Sequence, residues 1–509
     1  MYSDKSLYVA HSSSGPIYLI GSMANRHGLI AGATGTGKTV TLQVLAETFS
    51  QAGVPCFMAD MKGDLSGISQ TGKLSGFIEK RCAEFGLNTA DLAFAGCPVR
   101  FYDVYGEQGH PMRTTIANMG SMLLSRLLEL NDTQSGVLAL TFRIAQDEEL
   151  PLVDMKDLRL MLDYVAKNAD RYSTTYGNVS SATIGAIQRS LLTLMEQGGD
   201  KFFGEPAFDI YDLLQTEGGC GVMNVLAADR LMLQPKLYST FLMWLLTTLY
   251  DKMPEIGDME LPKMVFFFDE AHMLFKDTSK ALTDKIEQIV RLIRSKGIGI
   301  YFITQSPNDL PEAILGQCGN RVQHALRAFT PKDQAAVKAA AQTFRPNPAF
   351  STEREILELG TGEALVSFLD EKGAPSMVER AKILFPLSQI GAITVEQRQA
   401  INASSRVAGK YDTLVDRESA FEKIVKQREE TELQAAKAKE EEASKEEKER
   451  KEKQESKKSS ARKSALAAAL GTAVTYFAKT VATQLARNIV GSTGKKTKTT
   501  TKKNTKKKK

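Results

Sequence analysis

Eight consecutive residues, Gly32, Ala33, Thr34, Gly35, Thr36, Gly37, Lys38 and Thr39, match the pattern GxxxxGK[ST] in full. Glycines at these places let a backbone fold around phosphate groups with its N–H groups pointing inward. A helix starting at the end of the loop adds partial positive charge. The lysine type at Lys38 suits the β- and γ-phosphates of a nucleoside triphosphate, and the hydroxyl of Thr39 suits a magnesium ion. ATP with Mg2+ is the expected ligand pair. A second acidic site follows a run of apolar residues: Val265 to Phe268 lead into Asp269 and Glu270. Asp269 is expected to hold magnesium, directly or through water, and Glu270 to polarise an attacking water as general base.

Three further positions are candidates. Gln305 ends another apolar run after Ile303 and Thr304. It reads as a sensor of the γ-phosphate or an orienter of the water, or as a strand-end residue facing solvent. Arg321 follows Gly319 and Asn320. In ring-forming ATPases an arginine from a neighbouring subunit stabilises transition-state charge. Arg321 is the first choice for that role and Arg294 the second, against a plain surface arginine in either case. Lys62, in the stretch Asp60 to Asp64, reads as a phosphate contact or as part of a turn made by Gly63 and Asp64.

These residues need elements that bring them to one place. Short apolar runs read as buried strands at His27–Ala31, Pro55–Ala59, Val99–Val104, Gly221–Leu226, Met264–Phe268, Ile298–Ile303, Val322–Leu326 and Ala364–Phe368. Apolar character on both strand faces is the mark of a parallel sheet covered by helices on each side. Helices are expected at Lys38–Ser50, Tyr238–Tyr250 and Asp284–Arg294. The fold class is α/β with a mainly parallel sheet, in which the acids of such strands emerge at the C-terminal edge where ligands bind. Residues 106–218 are too long for a loop and read as a largely helical insertion or subdomain.

The 509 residues exceed one compact domain, and a composition of 42% hydrophobic and 25% charged residues is ordinary for a globular protein. The five cysteines form no CxxC pair, which argues against a disulfide framework or structural zinc and for a reducing compartment. No secretory signal and no long apolar stretch are seen, so a cytoplasmic setting without a membrane span is expected. The net charge of +5 becomes −4 once the nine lysines of Ser492–Lys509 are set aside, so the body offers no bulk-charge argument for nucleic-acid binding.

Composition divides the chain into an ATPase domain at 1–400, a Lys/Glu-rich helix or linker at 411–460, an amphipathic helix at 461–490 and a disordered lysine tail at 491–509. In the third part Leu466, Leu470, Val474, Phe477, Val481, Leu485 and Ile489 recur every three or four residues. That face reads as a docking helix for a subunit, a membrane-surface helix or a helix packed on its own core. The lysine tail reads as a holder of DNA or another polyanion, or as a solubilising end.

The runs Ala24 to Thr39, Phe267 to His272, Val290 to Gly297 and Gly319 to Phe329 resemble the bacterial HerA-like helicase family, in its branch with a short N-terminus. The likeness spans roughly residues 5–390. It implies a RecA-like P-loop core, a homohexamer, an arginine finger acting in trans and ATP-driven movement on double-stranded DNA. Arg321 matches the arginine opening the late strand, and Gln305 matches the glutamine that follows a threonine. Archaeal relatives carry a β-barrel ahead of the phosphate loop. With the loop beginning at Gly32 no room for a barrel is expected, and its nuclease partnership is not carried over. The residues themselves leave three functions open: a DNA translocase or helicase, an ATPase that remodels or transports a protein assembly, and a nucleotide-dependent switch. The Asp269–Glu270 pair disfavours an inactive nucleotide sensor.

Overall fold

Every side chain of the strand Met264–Phe268 is buried, and the alternation of a β-strand divides them between two cores. Met264, Phe266 and Phe268 join one layer with Phe57, Phe302 and Trp244. Val265 and Phe267 join the other with Phe49, Met58 and Tyr301. The same two-sided burial holds for Gly28–Ala31, Cys56–Asp60, Met223–Ala227 and Ile298–Thr304. This is a sheet with helices on both faces, as the apolar runs predict.

The computed structural model describes residues 2–485 apart from 177–178, 258 and 276–279. Among the described residues the main sheet has 13 strands. Its parallel part runs Asn320–Gln323, Gly28–Ala31, Ile298–Thr304, Met264–Phe268, Cys56–Asp60, Met223–Ala227, Val99–Asp103. The strand before the phosphate loop therefore lies between Ile298–Thr304 and Asn320–Gln323. The acid-bearing strand is one place further along. Because the strands are parallel, Gly32, Asp269, Gln305 and His324 all leave the sheet at the same edge.

Beyond Asn320–Gln323 the sheet turns antiparallel through Glu363–Ser367, Glu379–Ile383, Ser6–Ser12 and Gly15–Ile20. Ser6–Ser12, Gly15–Ile20 and Glu379–Ile383 are absent from the sequence expectation: polar residues interrupt the first and the last, and Gly15–Ile20 is short and opens on Gly-Pro. The expected strand Val322–Leu326 is shifted to Asn320–Gln323. Its pairing with Gly28–Ala31 ends at Gln323, and Ala325 and Leu326 turn away into a small separate core with Val337 and Ile356.

Between Val99–Asp103 and Met223–Ala227 the chain is mostly helical, with Asp132–Asp147, Met155–Lys167, Ala169–Tyr176 and Ser181–Glu196 as the longer helices. Asp154 caps the second of these through the N–H groups of Lys156 and Asp157 at 2.9 and 3.2 Å. Leu138, Leu158, Met161, Ile187 and Leu191 continue the core layer of Phe266 and Phe268.

The chain forms two compact units, Met1–Val425 and Lys426–Lys509. A single helix, Ala420–Leu485, supplies the described part of the second unit. The stretches read as a charged helix or linker and as an amphipathic helix are thus one continuous helix from Ala420 to Leu485, which starts later than the expected boundary at 411. Ile489 and the lysine tail at 491–509 lie outside the described residues. No helix among the described residues is long and apolar enough to cross a membrane.

Phe267 packs with Tyr301 and Phe49 at ring-centroid distances of 5.4 and 6.3 Å. Phe267→Ala should cost about 3–5 kcal/mol. Urea unfolding followed by fluorescence of the single tryptophan, Trp244, checks this; a cost near zero would contradict the packing.

Candidate nucleotide site

The loop from Gly32 to Gly37 is tied to its surroundings by backbone bonds. The N–H of Gly32 donates to the carbonyl of Thr304 at 3.2 Å, that of Ala33 to Ala325 at 2.8 Å, and that of Gly362 to Thr36 at 3.0 Å. A Cβ on Gly32 would sit 2.5 Å from the Cβ of His324, so only glycine fits there. Gly37 has φ of +115°, a left-handed conformation natural to glycine, and stands as N-cap of the helix Lys38–Gln51. Glycine has no side chain to cap the first turn, so the N–H groups there remain for an anion. The ammonium of Lys38 bends back over the loop and donates to the carbonyls of Gly32 and Ala33 at 2.6 and 3.1 Å. Burial lowers its pKa, while the nearby charges of Glu270 and Asp269 oppose that shift.

His324 supports the loop from behind. It is 0% exposed. Nδ1 lies 2.9 Å from the carbonyl of Glu363, and Nε2 lies 2.8 Å from the hydroxyl of Thr41. A carbonyl only accepts, so the proton is assigned to Nδ1 and Nε2 accepts from Thr41. Burial, aided by the charge of Lys38, pushes its pKa from 6.5 down to about 4. Sequence patterning did not flag His324; the close approach to Gly32 that defines it exists only in the folded sheet.

Asp269 and Glu270 are 6% and 8% exposed. Burial and the charge of Glu270 raise the Asp269 carboxyl to about 6. For Glu270 burial also pushes upward, but Lys62, Gln305 and His272 together hold it below the usual carboxylate range. The Lys62 ammonium donates to Oε1 of Glu270 at 2.7 Å. The amide of Gln305 and Nδ1 of His272 each lie 3.4 Å from Oε2. Glu270 has φ of +46°, a conformation that costs a non-glycine residue energy and recurs at functional sites.

Lys62 is held in place by Asp60. The buried Asp60 carboxylate accepts from the N–H groups of Gly63 at 2.8 Å, Leu65 at 3.2 Å and Lys62 at 3.3 Å. Gly63 does form a turn there, with φ of +76°. The turn reading of this stretch holds, and in place of the expected phosphate contact the turn aims Lys62 at Glu270.

The structure thus brings Lys38, Asp269, Glu270, Gln305 and Lys62 to one edge. Beside them a cleft of about 630 Å³ is lined by Ala33, Thr34, His272, Gln305, Arg327 and Lys332, among others. Arg321 is placed otherwise. Its Nε, Nη1 and Nη2 donate to the carbonyls of Cys318, Thr343 and Leu315 at 2.9, 3.0 and 2.8 Å, all in its own chain. Arg294 is exposed in the turn Arg294–Lys296 after the helix Lys280–Ile293.

Fold and phosphate loop define a P-loop NTPase with a RecA-like sheet. The chain belongs to the helicase HerA-like C-terminal family, whose model matches residues 5–498. The bacterial conjugative coupling protein TrwB, in its unbound TrwBdeltaN70 form, is similar in structure with a TM-score of 0.52 and 14% identity, over 77% of this chain and 92% of that one. TrwB in complex with the non-hydrolysable ATP analogue ADPNP gives a TM-score of 0.50 and 16% identity, over 73% and 88% of the two chains. A probable helicase of Methanocaldococcus jannaschii is 28% identical over 123 residues, which is 23% of this chain and 22% of the relative. The match therefore spans about a fifth of that relative.

The unfolded chain protonates His324 near 6.5, whereas the folded chain does so only near 4. The folded protein binds fewer protons between these values, so stability is lost as pH falls through that window, by about 3 kcal/mol from this group. His324→Gln removes the titration. The stability difference between wild type and His324→Gln should shrink from pH 7 to pH 4.5 in urea unfolding. A difference constant across that range would contradict the buried neutral imidazole.

Proposed function

We propose that this chain is an ATP-hydrolysing motor of the HerA type, acting as a homohexameric ring that moves on double-stranded DNA. The observation that carries the catalytic part is the convergence on one sheet edge of Lys38, the Asp269–Glu270 pair and Gln305, with Glu270 held ionised by Lys62. Membership of a helicase-named family and the local match to a probable helicase support the DNA part. The nucleotide analogue bound by TrwB supports ATP as the ligand.

In this reading the β- and γ-phosphates lie on the N–H groups of Gly32 to Thr39. Lys38 exchanges its two carbonyl partners for phosphate oxygens. Thr39 and Asp269 offer a hydroxyl and a carboxylate, hard oxygen donors of the kind Mg2+ takes together with phosphate oxygens and water. When bound, Mg2+ neutralises charge on the phosphates. Glu270 accepts a proton from the attacking water as its oxygen bonds the γ-phosphorus. The bond from that phosphorus to the oxygen bridging to the β-phosphate breaks, and ADP and phosphate are released. Gln305, beside Oε2, orients the same water. Arg321 remains the first candidate for an arginine acting in trans, and it would do so only by giving up its three carbonyl bonds.

Lys38→Ala should abolish nucleotide binding. Glu270→Gln should retain binding and lose turnover by about 10²–10⁴-fold. Steady-state ATPase rates with and without double-stranded DNA at low salt test the cargo, and a clear rise with DNA is expected. Normal turnover in Glu270→Gln would remove the general-base role. An ATPase indifferent to DNA would leave the enzyme and remove the translocase, favouring a protein assembly as cargo.

A further inference from the structure

The helix Ala420–Leu485 changes character along its length. Up to Glu455 it mixes acids and bases densely. From Ser456 to Lys509 the sequence holds no Asp or Glu and 15 Lys and Arg. Within the described part of this basic stretch, Leu466, Leu470, Val474 and Phe477 are 67%, 61%, 66% and 77% exposed. Steps of four, four and three residues place them on one helical face. Thr472, Thr475 and Lys479 fall on the opposite side. Leu470, Val474 and Phe477 line a shallow apolar groove with Ala473 and Ala478.

We infer that this helix segment is an interfacial anchor that binds an anionic lipid surface. Its apolar face would lie among the acyl chains, and the Lys and Arg on either side among the headgroups. Charge complementarity selects this occupant. Lys457, Lys458, Arg462 and Lys463 precede the apolar face, and Lys479, Arg487 and the nine terminal lysines follow it. Such juxtaposed basic residues are drawn to the negative potential of an anionic membrane surface. An apolar face flanked by bases in a helix too polar to span is the pattern of a helix lying in the membrane interface. A nucleic acid would satisfy the lysines and leave the four apolar side chains in water. A second copy of the helix is a poor partner. Heptad positions are apolar only from Ala467 to Val481, with Lys463 and Gln484 taking the same seam before and after. Two heptads are short of the three or four that a coiled coil needs.

The test is co-sedimentation of the full chain with vesicles of phosphatidylcholine alone and of phosphatidylcholine mixed with phosphatidylglycerol. Binding is expected only to the mixed vesicles, weakening as salt rises. Leu470→Glu with Phe477→Glu should weaken it at least about tenfold, with ATPase rate and double-stranded DNA binding unchanged. Both positions are exposed, so the fold of residues 1–425 is not at stake. Failure to bind mixed vesicles would overturn the inference. So would equal binding by the double variant, which would reduce the effect to the lysines alone. A fall in oligomer size for the double variant without any change in vesicle binding would assign the face to a second copy instead.

Discussion

A buried carboxylate needs a cation, and Glu270 depends on Lys62 for it. With Glu270 8% exposed, burial alone would favour its neutral form. The 2.7 Å contact from the Lys62 ammonium keeps it charged. That contact in turn depends on the Asp60 carboxylate, which gathers three N–H groups to shape the turn carrying Lys62. Asp60 itself is raised to about 7 by burial and by Asp64. A chain of polar groups thus runs from the strand Cys56–Asp60, through the half-exposed Lys62, to the proposed base after the neighbouring strand Met264–Phe268.

The sheet supplies the rest of the geometry. Two-sided burial of the central strands leaves them no freedom to slip, since a one-residue shift would exchange the residues facing the two cores. Their common C-terminal edge is therefore a fixed platform. The strand Ile298–Thr304 lies between the phosphate-loop strand and the acid strand, which sets Gln305 beside Glu270. On the far side, His324 props the loop through Thr41 and through its contact with Gly32. The loop is accordingly held by strands on both sides before any phosphate arrives.

Much of this was legible in the residues. The phosphate loop, the acid pair and the central strands follow from local patterns, because a motif with its own flanking strand and helix carries its context with it. The antiparallel strands Ser6–Ser12 and Glu379–Ile383 were not legible, since their pairing with each other joins segments hundreds of residues apart and polar side chains interrupt both. His324 was missed for the same reason: its role rests on a contact between segments distant in sequence. Lys62 was seen only as one of two readings, a phosphate contact or a turn. A pairing with Glu270 across 208 residues leaves no mark on the local sequence. Arg321 shows the converse, where position in a motif suggests a partner in another subunit and the chain's own carbonyls occupy the guanidinium.

The central claim is that Lys62 acts on turnover through Glu270. A double-mutant cycle measures this directly. Lys62→Met should change the ATPase rate of the wild-type chain by at least about tenfold and leave the residual rate of Glu270→Gln unchanged, because in that variant there is no carboxylate for Lys62 to hold. An equal effect of Lys62→Met in both backgrounds would show that the two residues act independently and would contradict the account.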